Sequence, residues 1–493
     1  MDFYNQTVLP PRWARTALGE LVEFTYGKAL KEDRRDAGGK VPVYGSNGVV
    51  GTHSEALVSQ PAVIIGRKGA AGEVHISHVP FWPIDTTYYA IPPDGLCLEF
   101  LYYVLKTLSL GSLDRSTAIP GLNRDDAYAS EVSVPPFFEQ RRIVAKIEEM
   151  FSKLDAGVEE LEKAKAQLKR YRQSVLKAAF SGELTKEWRE ARANRQEPIE
   201  TAKELLERIR KERQQAAANS QRKYKEPPPL DTSELPELPE GWAWVRLDAV
   251  ASIKGGITKD AKRKVPGGRM VPYLRVANVQ RGYLDMEEIT EILASEDEIA
   301  ELRLRRGDIL FTEGGDRDKL GRGWVWNEEL PECIHQNHVF RARLYVQDVQ
   351  PKYVSWYGNT MGRGYFQGAG KQTTNLASIN ITKLSGLPVA LPPAQEQAAI
   401  VSEVEDRLSI LDEMEKAVDI SEAQAARLRQ AILKRAFEGR LTEEWRRQQA
   451  NSQEPMETAE ELLKRIREAK AKRQMDRKPR ASRQRAKRGG GPA

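Results

Sequence analysis

The sequence predicts an α+β fold: two small α/β domains separated by two long α-helices that pair as an antiparallel coiled coil, in a pseudo-two-fold internal repeat. Three observations predict it. The first is that FSGELTKEW (Phe180 to Trp188) returns as FEGRLTEEW (Phe437 to Trp445), 257 positions later. The match extends without a gap. Pro135-Pro136 and Glu139-Gln140 align with Pro392-Pro393 and Glu396-Gln397, and NRQEPIETAKELLERIR (194 to 210) aligns with NSQEPMETAEELLKRIR (451 to 467), 13 of 17 residues being identical. A constant offset over roughly 80 residues marks a duplication.

The second observation is a heptad pattern ahead of each FxG element. Ile147, Leu154, Leu161, Leu168 and Val175 occupy position a, with Ile143, Met150, Gly157, Ala164, Tyr171 and Ala178 at d. In the second copy Val404, Leu411, Val418, Ala425 and Ile432 stand at a, and Ile400, Arg407, Met414, Ser421, Leu428 and Arg435 at d. Gly157, Arg407 and Ser421 spoil each stripe for self-pairing. Pairing of the two helices with each other is predicted, with Gly157 leaving room for a large residue opposite. The third observation is that PAVIIGRKG, GDILFTEGG and HQNHVFRARL alternate and are broken by Gly and Pro, as strands of small twisted sheets are, whereas LEFLYYVLKTL reads as a covering helix.

Taken in order, residues 1–136 form the first α/β domain and 137–218 a helical region of one long helix plus short ones. Residues 219–241 are a Pro-rich, extended linker; 242–393 form the second α/β domain, 394–472 the second helical region, and 473–493 a basic tail. The domains open alike, WARTALGELVEFTYGK at Trp13 resembling WAWVRLDAVASIKGG at Trp242, and close alike: Thr117, Ile119, Leu122 and Asn123 match Thr374, Leu376, Ile379 and Asn380. Each rod ends at a glycine, Gly182 or Gly439, where a C′ glycine is expected. Thr185 and Thr442 then suit N-caps of a short turn holding Trp188 and Trp445. Pro198 and Pro455 suit the first turn of a last amphipathic helix.

The net charge of +6 is concentrated at the end. From Lys470 onward ten basic residues face one acid, so the rest of the chain sums to −3. The tail has too few apolar groups to pack and reads as disordered, either a sequence-independent aid to DNA binding or a solubilising segment. No apolar run approaches the length of a membrane span, the start MDFYNQTVLPPRW lacks a signal-peptide pattern, and Cys97 and Cys333 form no disulfide framework. A cytoplasmic protein without a membrane partner is expected.

Catalytic signatures are missing. VPPF at Val134 has Val where an amino-methyltransferase needs Asn or Asp, and YFQGAGKQ has Tyr365 and Gln372 where a phosphate loop needs glycine and a hydroxyl. Cys333, His335 and His338 include metal-ligand types, but strand alternation sends the first two to one face and His338 to the other, and no fourth ligand stands nearby. No catalytic residue, no metal and no cofactor bound by this chain are expected.

Two differing domains, each followed by a copy of one helix, resemble the specificity subunit of Type I restriction-modification systems. VPPFFEQRRIVAKIEEMFSKLD with LPPAQEQAAIVSEVEDRLSILD, and the repeated FSGELT and FEGRLT, carry the resemblance, together with VPVYGSNGVVG, AVIIGRKGAAG, VPYLRVANVQRG, RRGDILFTEGG and HQNHVFRARL. The resemblance implies two target recognition domains, each reading half of a bipartite asymmetric sequence in double-stranded DNA. It implies two modification (HsdM-type) subunits docked on the paired helices, and added restriction (HsdR-type) subunits. S-adenosylmethionine, ATP and Mg2+ would be used by those partners.

Within that frame Gln336, Asn337 and His338 offer amide and imidazole groups suited to base edges. Lys371, Gln372, Thr373, Thr374 and Asn375 form a polar loop suited to phosphate or groove contact, and Arg317, Lys319, Arg322 and Arg363 could serve similarly. In the first domain Tyr44, Ser46, Asn47, Arg67, Lys68, Thr86 and Thr87 are the corresponding candidates. Trp188 and Trp445 suit either packing at the rod end or docking of a partner. A coiled-coil scaffold whose domains bind protein or RNA remains an alternative; it explains the repeat but not the divergence of the domains.

Overall fold

The computed structural model describes residues 8–113, 121–196, 198–219, 224–260, 265–315, 319–369, 371–372, 377–449 and 457–477. The first domain contains β1 (Ala14–Ala17), α1 (Leu18–Leu21), β2 (Thr25–Tyr26), β3 (Val41–Gly45), β4 (Gly48–His53), β5 (Ala62–Gly66), β6 (Val74–Ser77), β7 (Trp82–Pro83), β8 (Thr87–Ala90), α2 (Leu98–Thr107), α3 (Arg124–Ala129) and β9 (Glu131–Val134). Helices α4 (Phe137–Ser181), α5 (Lys186–Arg195) and α6 (Ala202–Asn219) follow. The second domain contains β10 (Ala243–Arg246), α7 (Leu247–Val250), β11 (Ala251–Lys254), β12 (Arg269–Leu274), β13 (Thr290–Ala294), α8 (Glu296–Leu302), β14 (Ile309–Thr312), β15 (Gly314–Gly315), β16 (Gly323–Val325), β17 (Ile334–His335), β18 (Val339–Leu344), α9 (Pro351–Thr360), α10 (Gly362–Ala369), β19 (Lys371–Gln372), β20 (Ala377–Ser378), α11 (Ile381–Ser385) and β21 (Pro388–Leu391). The remaining elements are α12 (Ala394–Phe437), α13 (Glu443–Gln449) and α14 (Ala459–Arg477).

The chain groups into two compact units, Met1–Glu162 with Asp419–Ala493, and Lys163–Val418. In the first, β1 pairs with β9, a four-stranded sheet runs β2-β8-β5-β6, and a three-stranded sheet runs β4-β3-β7 with β3 and β7 parallel. The second unit repeats these orders as β10-β21, β11-β18-β14-β16 and β13-β12-β17, with β12 and β17 parallel. It adds a small sheet, β15-β20-β19. The alternation read in PAVIIGRKG and GDILFTEGG thus falls on the equivalent strands β5 and β14.

Each core is completed by helices from far along the chain. Val63, Ile65 and Phe100 pack with Ile143 and Ile147 of α4, Ile432 and Phe437 of α12, and Leu462 and Ile466 of α14. In the second unit Ile309, Phe311 and Tyr353 pack with Val175 and Phe180 of α4, Leu205 and Ile209 of α6, and Ile400 and Val404 of α12. Each such apolar side chain contributes about 1.5–3 kcal/mol on burial.

A buried carboxylate holds the same four-residue clasp in each unit. In the first, Trp13 Nε1 donates to Glu139 Oε2 at 2.9 Å, Thr442 Oγ1 donates to Glu139 Oε1 at 2.7 Å, and Arg446 pairs with the same oxygen. In the second, Trp242, Thr185 and Arg189 meet Glu396 in the same way, at 2.9, 2.7 and 2.5 Å. The start of α4 therefore meets the segment after α12, and the start of α12 meets the segment after α4. Further along, Arg429 pairs with Asp155 in the first unit and Arg172 with Asp412 in the second, so numbering rises along one helix as it falls along its neighbour.

Three local expectations need correction. Thr185 makes no cap bond to its own helix, because its hydroxyl serves the buried Glu396. Helix α6 starts four residues after Pro198, where Thr201 and Glu204 exchange backbone and side-chain hydrogen bonds; Thr458 and Glu461 do the same for α14, and Pro455 lies outside the described residues. Gly157 has nothing within 4 Å of where a Cβ would lie, and Val158 is turned inward instead. Of the other heptad positions, Ile143, Ile147, Ile400, Val404, Leu411 and Ile432 are buried; Met150, Leu154, Leu161, Leu168 and Val418 are half-buried, and Leu428 is 50% exposed. The C′ glycines carry the left-handed conformation expected of them, φ 79° at Gly182 and 74° at Gly439.

Candidate nucleic-acid interface

In the first domain the structure draws several of the predicted residues to one corner. Ser46, in the β3–β4 turn, is buried with its hydroxyl 2.6 Å from the carbonyl of Lys68 and 2.7 Å from that of Thr86. Arg67 and Lys68 follow β5, and both their amides donate to Thr86 O. Arg67 Nε and Nη2 also donate to Asp85 O, at 3.1 and 2.8 Å, which fixes one edge of the guanidinium. Thr87 is buried and donates to Ile84 O, so it shapes the turn. Asn47 and Lys68 are exposed. Tyr44 stands apart, its ring edge-on to Phe81 at 5.7 Å in a small cluster beneath the sheet.

Two residues that the sequence reading missed complete the corner. The Arg67 guanidinium lies 5.3 Å from the centroid of Tyr26, and that of Arg124 lies 5.7 Å from the same ring. Tyr26 is 51% exposed and leans on Tyr88 at 5.0 Å; burial first, then the Tyr26 hydroxyl, push Tyr88 up to about 12. An exposed ring with two guanidinium groups within 6 Å is a cation–π arrangement, and such a cluster of cations suits an anionic or acceptor-rich surface. The signal was available: Arg124 follows Asn123, the N-cap of α3, in the thread shared by both domains.

In the second domain the candidates are more dispersed. His335 is buried; a proton on its Nδ1 donates to Val339 O at 2.7 Å, and burial lowers its pKa to about 4. Cys333 is also buried, its thiol pushed up to about 12 by desolvation. Gln336 and Asn337 are half-buried in the turn after β17, and the exposed His338 contacts Glu313. Lys319 and Arg322 are half-buried, with Arg322 Nη2 donating to Val276 O at 3.0 Å. Arg363 is exposed on α10. Lys371 and Gln372 form the strand β19, while Arg317, Thr373, Thr374 and Asn375 lie outside the described residues. Among the described residues no three His, Cys, Asp or Glu side chains gather as a metal site would require. Trp188 and Trp445 are both half-buried, and Arg192 lies 4.7 Å over the ring of Trp188.

The family described as Type I restriction modification DNA specificity domain matches residues 10–170. The specificity subunit of the Type I restriction enzyme EcoDI of Escherichia coli is 27% identical over 479 residues, covering 94% of this chain and 96% of that one. That of EcoKI, from Escherichia coli strain K12, is 25% identical over 419 residues, covering 83% and 80%. The chain is thus similar to Type I restriction-modification specificity subunits over nearly its whole length. A solved structure described as the structural basis of complex assembly and conformational transition of the type I R-M system has the same fold, with a TM-score of 0.62 at 18% identity, over 88% of this chain and 100% of that one. Among the described residues no helix is long and apolar enough to cross a membrane. The Tyr26 corner gathers three basic residues, Arg67, Lys68 and Arg124, around an exposed ring and a frame of main-chain hydrogen bonds.

Proposed function

We propose that this chain is the non-catalytic DNA-specificity subunit of a Type I complex, each domain reading one half of a bipartite, asymmetric site in double-stranded DNA. In this reading the two long helices pair as an antiparallel coiled coil about a pseudo-two-fold axis. They set the gap between half-sites and offer equivalent surfaces to two modification subunits, with restriction subunits added to that core. S-adenosylmethionine, ATP and Mg2+ serve those subunits, and this chain supplies the address. The observation that carries the reading is that both domains repeat one set of strand orders while their sequences differ, as two readers of different half-sites should.

The test is to co-express the chain with its modification subunit, incubate the complex with a random duplex pool and sequence what is retained. A split motif with an unspecified centre is expected. An assembled complex that enriches no sequence would withdraw base reading and favour a protein- or RNA-binding scaffold.

A further inference from the structure

The main-chain hydrogen bonds around the Tyr26 corner recur in the second domain and identify its equivalent positions. Leu122 N donates to Arg67 O at 2.9 Å, as Ile379 N does to Glu313 O at 2.8 Å. Arg67 N donates to Thr86 O at 2.8 Å, as Glu313 N does to His338 O at 2.9 Å. Lys28 N bonds to Pro83 O, as Ile257 N bonds to His335 O. At both places the residue before, Gly27 or Gly256, admits no side chain, because a Cβ would lie 2.1 Å from Ile84 O or 1.8 Å from His335 O. Asn123 and Asn380 cap the helices that start with Arg124 and Ile381.

On this frame Tyr26, Arg67 and Arg124 correspond to Gly255, Glu313 and Ile381. The placement repeats as well as the register: Ile381 Cδ1 lies 3.6 Å from where a Cβ of Gly255 would be, as Arg124 lies over Tyr26. Two cations and an aromatic ring have become a carboxylate, an alkyl side chain and a gap. Ile381 is 40% exposed and Glu313 is half-buried, touching His338. A carboxylate repels phosphate, so the two corners do not both serve as backbone anchors.

We infer that this corner is the point at which the two domains acquire different base preferences, a conclusion that rests on the reading given under Proposed function. The first corner presents guanidinium donors to an acceptor edge, which among base pairs is guanine O6 and N7. The second presents a carboxylate to an amino donor such as cytosine N4, with an alkyl neighbour suited to a thymine methyl.

The experiment repeats the pool selection on the full complex with Arg67→Glu, Arg67→Lys, Glu313→Arg and Glu313→Gln, with assembly checked by gel filtration. Wild-type complex enriching no split motif would overturn the proposed function itself. Given a wild-type motif, Arg67 variants should change the preference at one position of one half-site by about ten- to a hundred-fold, and Glu313 variants should do so only in the other half. Arg67→Lys keeps the charge but loses the fork, so it should lose the base preference along with Arg67→Glu. If every variant enriches the wild-type motif, the corner does not read bases. If Arg67→Glu weakens all sequences alike and lowers the salt slope by about 1, the first corner contacts phosphate and the inference is overturned.

Discussion

Clasp and corner stand on backbones that match equally well between the two units, yet their side chains behave in opposite ways. Each clasp uses Trp, Glu, Thr and Arg: Trp13, Glu139, Thr442 and Arg446 in one unit, Trp242, Glu396, Thr185 and Arg189 in the other. The corners use Tyr26, Arg67 and Arg124 in one and Gly255, Glu313 and Ile381 in the other. The difference follows from where the hydrogen bonds lie. In the clasp the bonds are between side chains around a carboxylate that is 1–2% exposed, so changing any member leaves buried polar atoms without partners. At the corner the frame is held by amides and carbonyls, which tolerate any side chain that points to water.

The largest effect should therefore come from the clasp. Glu139→Ala strands the Trp13 N–H, the Thr442 hydroxyl and the Arg446 guanidinium together, and breaking a buried ion pair from one side costs about 3–5 kcal/mol. Glu396→Ala should cost the same in the other unit. Urea unfolding of both variants, followed by tryptophan fluorescence, checks this. A cost below about 1 kcal/mol in either would mean that the clasp is ornament and the apolar core alone holds that rod end.

A second effect separates the units by pH. His335 is buried and neutral, its Nε2 has no hydrogen-bond partner among the described residues, and its pKa is lowered to about 4. The residue equivalent to it in the first unit is Pro83, which does not titrate. The unfolded chain takes up a proton near the ordinary histidine value of about 6.5 and the folded chain does not until about 4, so stability falls as pH drops through that window. Between pH 6.5 and 5 the loss is about 2 kcal/mol, and it belongs to the second unit. His335→Asn, whose amide can still donate to Val339 O, should flatten that part of the pH–stability curve. An unchanged acid slope would show that His335 is not the group being protonated.

The duplication, the heptads and the terminal glycines made the two rods readable to within a few residues, and the alternating runs located β5, β14 and the helix α2. The clasp was out of reach for a particular reason. Antiparallel pairing brings the start of one rod near the segment after the other, but no pattern in the sequence marks Trp13, Glu139, Thr442 and Arg446 as bonded partners. The fold joins Glu139 to Thr442, 303 positions away. Gly157 was misplaced because a strict seven-residue repeat was imposed on a helix whose inward face passes from Leu154 to Val158 to Leu161. At the corner, Arg67 and Lys68 stood out by charge and turn context. Tyr26 gave no motif and Arg124 was marked only by its place after the N-cap Asn123, since the two come together only through β2 and the start of α3.

The smallest effect concerns the ion pairs between the rods, and it tests whether register is set at the rod ends or along their length. Arg172 and Arg429 stand 257 positions apart, as do Asp412 and Asp155, so both pairs report one register. Their surroundings differ. Arg172 also reaches Glu415 at 3.2 Å, whereas Arg429 lies 4.9 Å over the ring of Phe151. Asp155 and Asp412 are well exposed and Glu415 is half-buried, so each pair should show a coupling of about 0.2–1 kcal/mol in a double-mutant cycle, with Arg172 at the upper end because it has two acceptors. Both couplings should shrink in about 1 M salt, where the screening length falls to about 3 Å. The clasps are shielded from that screening by burial, so high salt should leave the Glu139→Ala and Glu396→Ala costs nearly intact. Should salt weaken the clasps as much as the mid-rod pairs, the register would have to come from the apolar seam rather than from either set of charges.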